Sequence, residues 1–307
     1  MRARNHSLSA FVLSAVLLGT SCSKPSSLSK FSTPNDAAKA LLQALKTDDM
    51  QQISAIFGRE AVDEVASGDA VSDKQDRQVI ALAMEQSWRW APLGSDRQEL
   101  MVGDEQWPFP IPLVKSGEQW VFDSEAGKQE VVARRIGRNE LNVIDLCHDY
   151  VNWQRQYAAL PHDGKPPGLY AQQLRSSTGH QDGLYWETKP GEQPSPLGDL
   201  AAEAGSEGYA QNRAEGSPFW GYRFRVLTAQ GASAPGGKKS YVVNGDMPGG
   251  FALLASPATY GSSGIMTFVV NQDGSVYQKD LGKDTSSLAA KITEYNPDGS
   301  WEPVKTP

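Results

Sequence analysis

Apolar residues change their spacing from helical to strand-like and back along this chain, which restricts its fold more than any other feature. Between residues 33 and 86 they recur at the spacing of amphipathic helices. Residues 99–123 then alternate with a period of two, which predicts antiparallel strands. Helical spacing returns at residues 125–159, and short strands between Gly and Pro turns follow. These segments predict an α+β protein, and a length of 307 residues favours two domains.

Capping signals indicate where the first helices begin. Thr33 and Pro34 suit the cap and the first position of a helix, so we expect one to start there. Asp49 starts a second, shorter helix. Ser72 with Gln75 forms a capping box, which predicts that a longer helix begins at Ser72 and continues to about residue 86.

Three strands are expected after these helices. They cover Glu99–Val102, Phe109–Val114 and Gln119–Asp123, and a turn at Lys115–Glu118 joins the last two. Helices followed by a curled antiparallel sheet that ends in Gly-x-x-Trp-x-Phe-Asp resemble the cone-shaped fold of the nuclear-transport-factor-2-like superfamily. The resemblance covers residues 33–125 and implies an N-terminal domain with a cavity inside its sheet.

Asp123 ends the last of these strands, where a cone-shaped fold would place it at the mouth of the cavity. Four tryptophans could line such a cavity and raise the pKa of a carboxylate: Trp88, Trp90, Trp107 and Trp120. Asp123 is therefore the weak catalytic candidate of a cavity-based hydrolase or isomerase. The alternative is an aromatic core with an ordinary acid at the end of a strand, and the residues favour this alternative.

The second half combines a long helix, from Glu125 to about Ala159, with short strands. The expected strands are Tyr222–Thr228, Tyr241–Val243, Gly249–Ser256, Met266–Asn271 and Ser275–Lys279. Asp273-Gly274 is typical of a two-residue hairpin between the last two strands. Further motifs in the same order are Tyr170-Ala171, Gly221-Tyr222-x-Phe224, Ala255-x-Pro257-x-x-Tyr260-Gly261 and Thr267-Phe268-x-Val270. This order resembles the head of a type IV pilin or pseudopilin, which implies that the helix lies lengthwise on one antiparallel sheet.

A pilin proper starts with an apolar helix immediately after its cleavage site, whereas here a whole domain precedes the pilin-like part. Assembly into a pilus through such a helix is therefore excluded. Residues 126–307 are expected to form a C-terminal helix-plus-sheet domain, and an accessory of a pilus or secretion system is one of the functions left open.

Several runs of residues also resemble a family of bacterial exported proteins that is known only as a domain of unknown function. These runs are Phe31–Pro34, Trp107–Pro112, Arg135–Leu141 and Val270–Gly274. The resemblance extends over the whole chain. It implies that the two halves belong together, and it brings no activity, ligand or site residue.

The N-terminus has the order of a bacterial secretory signal peptide. Arg2 and Arg4 precede an apolar run of 12 residues, Leu8–Gly19, and small residues follow it. This run is shorter than the roughly 20 residues that cross a bilayer as a helix. Residues 1–21 are therefore predicted to be removed on export.

Cys22 stands at the expected cleavage point and resembles the lipidated cysteine of a lipoprotein. Gly19 departs from that pattern, because such signals usually carry Leu at this position. Residues 22–32 are rich in Ser and Lys and lack periodicity, so we expect a flexible tether. The expected location is the periplasmic side of the cell envelope, with the protein attached to a membrane by its lipid.

The charge of the chain excludes some classes of partner. The net charge is −7, and it becomes −9 without the leader, which contains two arginines and no acid. With a calculated isoelectric point near 5.2, this charge opposes nucleic-acid binding and attraction to anionic lipid headgroups. The lipid anchor is therefore the expected membrane contact.

Sequence motifs for metal or cofactor binding are missing. Three histidines follow the leader, His148, His162 and His180, and none has the spacing of a metal site. Neither a phosphate-binding glycine loop nor a nucleophile elbow occurs, so no cofactor is expected. Cys147 lies among apolar residues at helical spacing, which indicates a buried structural thiol.

A small basic stripe, formed by Arg134, Arg135 and Arg138, lies on the predicted long helix. The stripe either pairs with nearby acids on a solvated face or docks a partner, and the first interpretation is favoured. Together these observations predict a non-catalytic envelope lipoprotein that binds an unidentified protein or polymer. The cavity-based enzyme and the pilus or secretion accessory remain as alternatives.

Overall fold

The computed structural model describes residues 28–188, 191–206, 209 and 217–305. The predicted leader and Cys22 lie outside the described residues. No helix in the described part of the chain is both long and apolar enough to cross a membrane. Ser29 N–H donates to the carbonyl of Ala55 at 2.7 Å, and Phe31 exchanges two backbone hydrogen bonds with Trp120, so the described end of the predicted tether is bound to the protein.

Four helices and a five-stranded antiparallel sheet form the first half. The helices are α1 (Pro34–Lys46), α2 (Met50–Phe57), α3 (Arg59–Glu64) and α4 (Ala70–Gln86). The strands are β1 (Trp88–Pro92), β2 (Arg97–Val102), β3 (Trp107–Pro108), β4 (Leu113–Ser116) and β5 (Gln119–Phe122). Their order is β1-β2-β4-β5, with β3 beside β2. Leu41, Leu100 and Phe122 lie in the apolar cluster that joins these helices to the sheet.

Two local predictions in this half are corrected. The cap of α4 is Asp69 and not Ser72, because the Asp69 carboxylate accepts the Ser72 N–H at 3.2 Å and so satisfies the first turn. The predicted strand at Phe109–Val114 is broken, with only Leu113 and Val114 in β4. Prolines at 108, 110 and 112 remove the backbone N–H groups that a continuous ladder requires.

Helix α5 (Ser124–Ala158) connects the two halves without interruption over 35 residues. Asp123 caps it by accepting the Ala126 N–H at 3.2 Å. The sequence predicts Glu125 and about Ala159 as its bounds, so the long helix is confirmed. Gly127 lies in the first turns of α5, against the proline-rich segment before β4. A Cβ added to it would be 2.7 Å from the Pro110 carbonyl oxygen.

Short strands and helices follow α5 in the second half. They are β6 (Gln173–Arg175), β7 (Gly183–Tyr185), α6 (Gly198–Ser206), β8 (Tyr222–Leu227), β9 (Ala229–Gln230), β10 (Lys239–Ser240), β11 (Ala252–Pro257), β12 (Met266–Asn271), β13 (Val276–Asp280), α7 (Thr285–Lys291) and β14 (Glu302–Pro303). The main sheet is antiparallel, in the order β14-β13-β12-β11-β8. Strands β9 and β10 form a separate antiparallel pair, and β6 and β7 a parallel one.

Helix α5 packs on this sheet as expected from the sequence. The Tyr150 hydroxyl donates to the Ala252 carbonyl at 3.2 Å, and its ring meets Phe251 edge-on with the centroids 5.6 Å apart. Both faces of the central strands are covered, because successive residues of β11 (Ala252–Ala255) and β12 (Thr267–Asn271), whose side chains alternate between the faces, are all buried. On β8, Arg225 donates to the Ala289 and Ile292 carbonyls at the end of α7. The central strands therefore do not offer an open face to a partner.

Four of the five segments predicted for this sheet belong to it, and the Tyr241 segment does not. The Tyr241 N–H donates to the Thr228 carbonyl, and its hydroxyl donates to the Gln230 side chain at 2.9 Å. These bonds hold Tyr241 beside the β9–β10 pair. Helices combined with mainly antiparallel sheets confirm the α+β fold class. Each half has its own cluster of buried apolar side chains. The domain boundary near residue 125 stays a prediction.

The two glycines of α5 provide a test of this packing. We expect Gly127→Ala to lower the free energy of unfolding by about 2 kcal/mol, because its methyl group would overlap the Pro110–Ile111 backbone. Gly137→Ala should raise it by about 0.5–1 kcal/mol, because no atom lies within 4 Å of the added Cβ and Ala is the better helix former. Urea denaturation measures both. Equal stability of the two variants would contradict the close contact at Gly127.

Candidate functional site

The two halves meet at a buried arginine on α5. Arg135 is 6% exposed and donates through Nε and Nη2 to the carbonyl and hydroxyl oxygens of Ser262, both at 2.9 Å. Its Nη1 donates to the Val65 carbonyl and lies 3.7 Å from the Asp73 carboxylate. Burial lowers the pKa of Arg135, and the charge of Asp73 opposes that effect. One guanidinium thus fixes a loop from each half on the helix.

Neighbouring residues of α5 hold the second loop, residues 258–265 between β11 and β12, in place. Asn139 donates to the Ser263 carbonyl at 2.9 Å. The Glu140 carboxylate accepts the N–H groups of Ile265 and Met266 at 2.8 and 3.0 Å. The loop at residues 258–265 is therefore bound to α5 along its C-terminal part, up to the start of β12.

The loop between α3 and α4, residues 65–69, is the first loop, and it is bound to the second half independently of Arg135. Asp69 is 4% exposed, and its carboxylate accepts the Tyr209 hydroxyl at 2.8 Å and the Gly221 N–H at 3.3 Å. A Cβ on Gly68 would lie only 2.9 Å from Thr259 Oγ1, which shows how closely the two loops approach each other. The junction is thus a hydrogen-bonded contact between both halves.

An open groove of about 520 Å³ lies beside this junction. It is lined by α5, the end of α3 and the second loop, through Glu64, Lys128, Gln129, Val132, Ala133, Ile136, Gly137 and Ile265. Lys128 and Glu64 form an ion pair toward the N-terminal end of α5, and the hydrogen bond to Glu64 raises the pKa of Lys128. The remaining surface is mostly apolar. The arrangement can hold an apolar group and contains no free acid or base for catalysis.

Gly137 is the residue of this groove that packing does not explain. A glycine within a helix costs about 0.5–1 kcal/mol relative to alanine. At Gly127 the close Pro110–Ile111 backbone requires it, whereas nothing lies within 4 Å of a Cβ built on Gly137. Because Gly137 lines the groove, a side chain there would project into it. The glycine keeps this space open.

The catalytic candidate from the sequence does not lie in this groove. Asp123 is the cap of α5, and neither it nor any of the four tryptophans lines the groove. Trp88, Trp90 and Trp120 pack against the apolar cluster of the first half. Trp107 is 40% exposed. The structure thus brings these aromatic residues into packing roles around the sheet.

The three arginines of the predicted docking stripe have different surroundings. Arg135 is buried in the junction, so it is not part of an exposed stripe. Arg134 donates to Glu130 and to the Pro108 carbonyl, both at 2.6 Å, and stacks on Trp107 with 4.5 Å to the ring centroid. Arg138 pairs with Asp76 at 2.6 Å. A docking role stays a prediction for Arg134 and Arg138.

The remaining reactive side chains have structural surroundings. Cys147 is fully buried, and burial raises the pKa of its thiol to about 12. His162 donates from Nε2 to the Tyr157 carbonyl at 2.8 Å and stacks on the Tyr157 ring with 3.9 Å between centroids. His180 lies 3.4 Å from Asp163, a proximity of two loops that the sequence did not predict. Among the described residues, no three His, Cys, Asp or Glu side chains are grouped as metal ligands.

Comparison with known proteins gives one match. The model of a family described as "Protein of unknown function (DUF2950)" matches residues 29–304. No curated protein and no solved structure matches the chain. The expected resemblance to a family of unknown function is thus confirmed, whereas the cone-shaped and pilin-like resemblances are not.

The raised pKa of Cys147 predicts how stability depends on pH. In the unfolded chain a thiol ionises near pH 8.5, so its contribution to stability is complete below about pH 8.5 and is lost as the pH rises toward 12. This thiol alone should lower the free energy of unfolding by about 1.4 kcal/mol per pH unit above about pH 9. Above about pH 10 the buried tyrosines, whose pKa values burial also raises, add to the loss.

Cys147→Ala should remove this part of the slope and cost about 1 kcal/mol of packing at pH 7. Urea denaturation at several pH values, in a Cys22→Ala background, measures both effects. Rapid labelling of Cys147 by a thiol reagent in the native protein at pH 8 would contradict the buried, protonated thiol.

The junction predicts unequal effects of two neighbouring arginines. Arg135→Gln should lower the free energy of unfolding by about 2–4 kcal/mol, because buried carbonyl groups of Val65 and Ser262 lose their donors. Arg138→Gln should cost less than about 1 kcal/mol, since its side chain is 47% exposed and its ion pair is screened by water. Denaturation with urea tests the difference. Equal losses would show that the junction does not depend on Arg135.

Proposed function

The chain belongs to the DUF2950 family of proteins of unknown function, and we propose that it is an exported, lipid-anchored protein of the bacterial cell envelope that acts by binding. The binding surface is the groove beside the junction, and its ligand is a protein or polymer of the envelope that inserts an apolar group. Catalysis is not part of this proposal.

The observation that carries the proposal is the open space at Gly137. This glycine weakens the helix that joins the two halves, and no packing contact requires it. A local cost without a structural reason is typical of functional sites. The volume of about 520 Å³ falls within the range of about 300–1,000 Å³ that ligand pockets usually have.

Export and anchoring are supported by the N-terminal sequence. Arg2, Arg4 and the apolar run Leu8–Gly19 match a secretory leader, and Cys22 stands at the cleavage point. Two or more acyl chains on one residue hold a protein stably on a membrane, since each buried methylene contributes about 0.8 kcal/mol. The acidic mature chain would otherwise have little attraction for anionic headgroups.

The groove is tested by filling it. A photo-cross-linking residue at Gln129, which lines the groove, should join the protein covalently to its ligand in intact envelopes. The same cross-linker at Ala126, an exposed residue of α5 outside the lining, should give no product.

Gly137→Phe should reduce the Gln129 product at least about tenfold by occupying the space, since a loss of about 1.4 kcal/mol in binding is tenfold. Gly137→Ala serves as the matched control, because it adds only a methyl group and should retain the product. Equal yields from Gln129 and Ala126, or no effect of Gly137→Phe, would rule out the groove as the binding surface.

The anchor is tested at Cys22. The mature protein should have a lipid-modified N-terminal cysteine by mass spectrometry and should partition almost completely with membranes. Cys22→Ala should be released into the soluble fraction or retained as the precursor. A mature protein that is soluble and has an unmodified Cys22 would exclude the lipid anchor.

A further inference from the structure

We infer that the groove also has a ligand within the protein itself: when the protein is not inserted in a membrane, an acyl chain on Cys22 lies in the groove. Insertion of the chains into a bilayer then empties the groove for its envelope ligand. This inference concerns the regulation of the proposed binding site and rests on the proposed lipidation of Cys22.

The start of the described chain lies close to the groove. Leu28 lies at the beginning of α3, where its exposed side chain places Cδ2 3.3 Å from the position of a Cβ on Gly58. Ser29 is held there by its 2.7 Å hydrogen bond to Ala55. The other end of α3 is Glu64, which lines the groove. One short helix therefore separates Leu28 from the groove.

The chain before Leu28 is long enough to cross this distance. Six residues in α3 span about 9 Å at 1.5 Å per residue. Six residue steps separate Cys22 from Leu28, and an extended chain of that length spans about 20 Å. The chain from Cys22 to Leu28 is thus about twice as long as α3, which allows the Cys22 sulfur to reach the Lys128–Glu64 end of the groove.

The chemistry of the two parts identifies the occupant as an acyl chain. Residues 23–27, Ser-Lys-Pro-Ser-Ser, contain no large apolar side chain that could fill the groove. The lining is mostly apolar, with Val132, Ile136 and Ile265 around the open space at Gly137. An acyl chain on Cys22 would bury its methylenes against these side chains, and its covalent attachment gives it a high effective concentration at the groove.

A cysteine in the groove reports its occupancy. Ala133 lines the groove and is exposed, so the thiol of Ala133→Cys should react readily with a maleimide when the groove is empty. Cys147 is buried and does not interfere. In lipidated protein freed of detergent, we expect labelling at least about tenfold slower than in the same variant with Cys22→Ala. Reconstitution into phosphatidylcholine vesicles should restore fast labelling, because the acyl chains then lie in the bilayer.

Three controls test whether the protection comes from the acyl chain of the same molecule. Ala126→Cys, exposed on the same helix outside the groove, should react equally fast in all three states. Added palmitate should slow labelling of Ala133→Cys in the Cys22→Ala protein, and Gly137→Phe should weaken that protection. Dilution of the lipidated protein should leave the protection of the Ala133→Cys thiol from maleimide unchanged. Protection that disappears on dilution would indicate the chain of a second copy and would overturn docking within one protein.

Two further outcomes separate the inference from the proposed function. Lipidated protein that labels at Ala133→Cys as fast as the Cys22→Ala protein overturns the inference alone and leaves the lipid anchor and the envelope ligand in place. An unmodified Cys22 in the mature protein, found by mass spectrometry, overturns the anchor and this inference together.

Discussion

The burial of one positive charge, the guanidinium of Arg135, determines how the two halves of this protein meet. A guanidinium taken out of water loses its hydration and is stable only if hydrogen bonds and an opposite charge replace the water. Arg135 obtains them from both halves, through Val65 and Asp73 on one side and Ser262 on the other. Because neither half supplies the full set, both loops must lie on α5 together.

The groove follows from this arrangement of α5. Successive residues of a helix point about 100° apart, so Arg135 and Asn139 hold the second loop while Val132 and Ile136 face a neighbouring direction. Ile265, at the end of the bound loop, forms part of the lining. The contacts that join the two halves thus also fix the position of Ile265, on the side of the groove opposite α5. A change in the junction would therefore alter the shape of the groove.

Local patterns in the sequence were sufficient for most elements but not for the site. Strand β12 has the predicted bounds, Met266–Asn271, because its apolar residues and the following Asp273-Gly274 turn are local signals. Asp69 caps α4 through a local bond to Ser72, which the Ser72–Gln75 capping box concealed, whereas its bonds to Tyr209 and Gly221 join residues more than 100 positions apart. The groove draws on Glu64, α5 and Ile265, and no local pattern relates such distant segments. Its only trace in the sequence is a glycine in a helical segment.

That glycine shows two opposed demands on one helix. The helix carries the buried charge that joins the halves, so strong helix formers along its whole length would stabilise the junction. A side chain at residue 137 would meet this demand without any clash, but it would project into the open space. The chain instead has the weaker helix former two residues after the buried Arg135. The helix is therefore less stable at the position where a larger side chain would fill the groove, as the proposed binding role predicts.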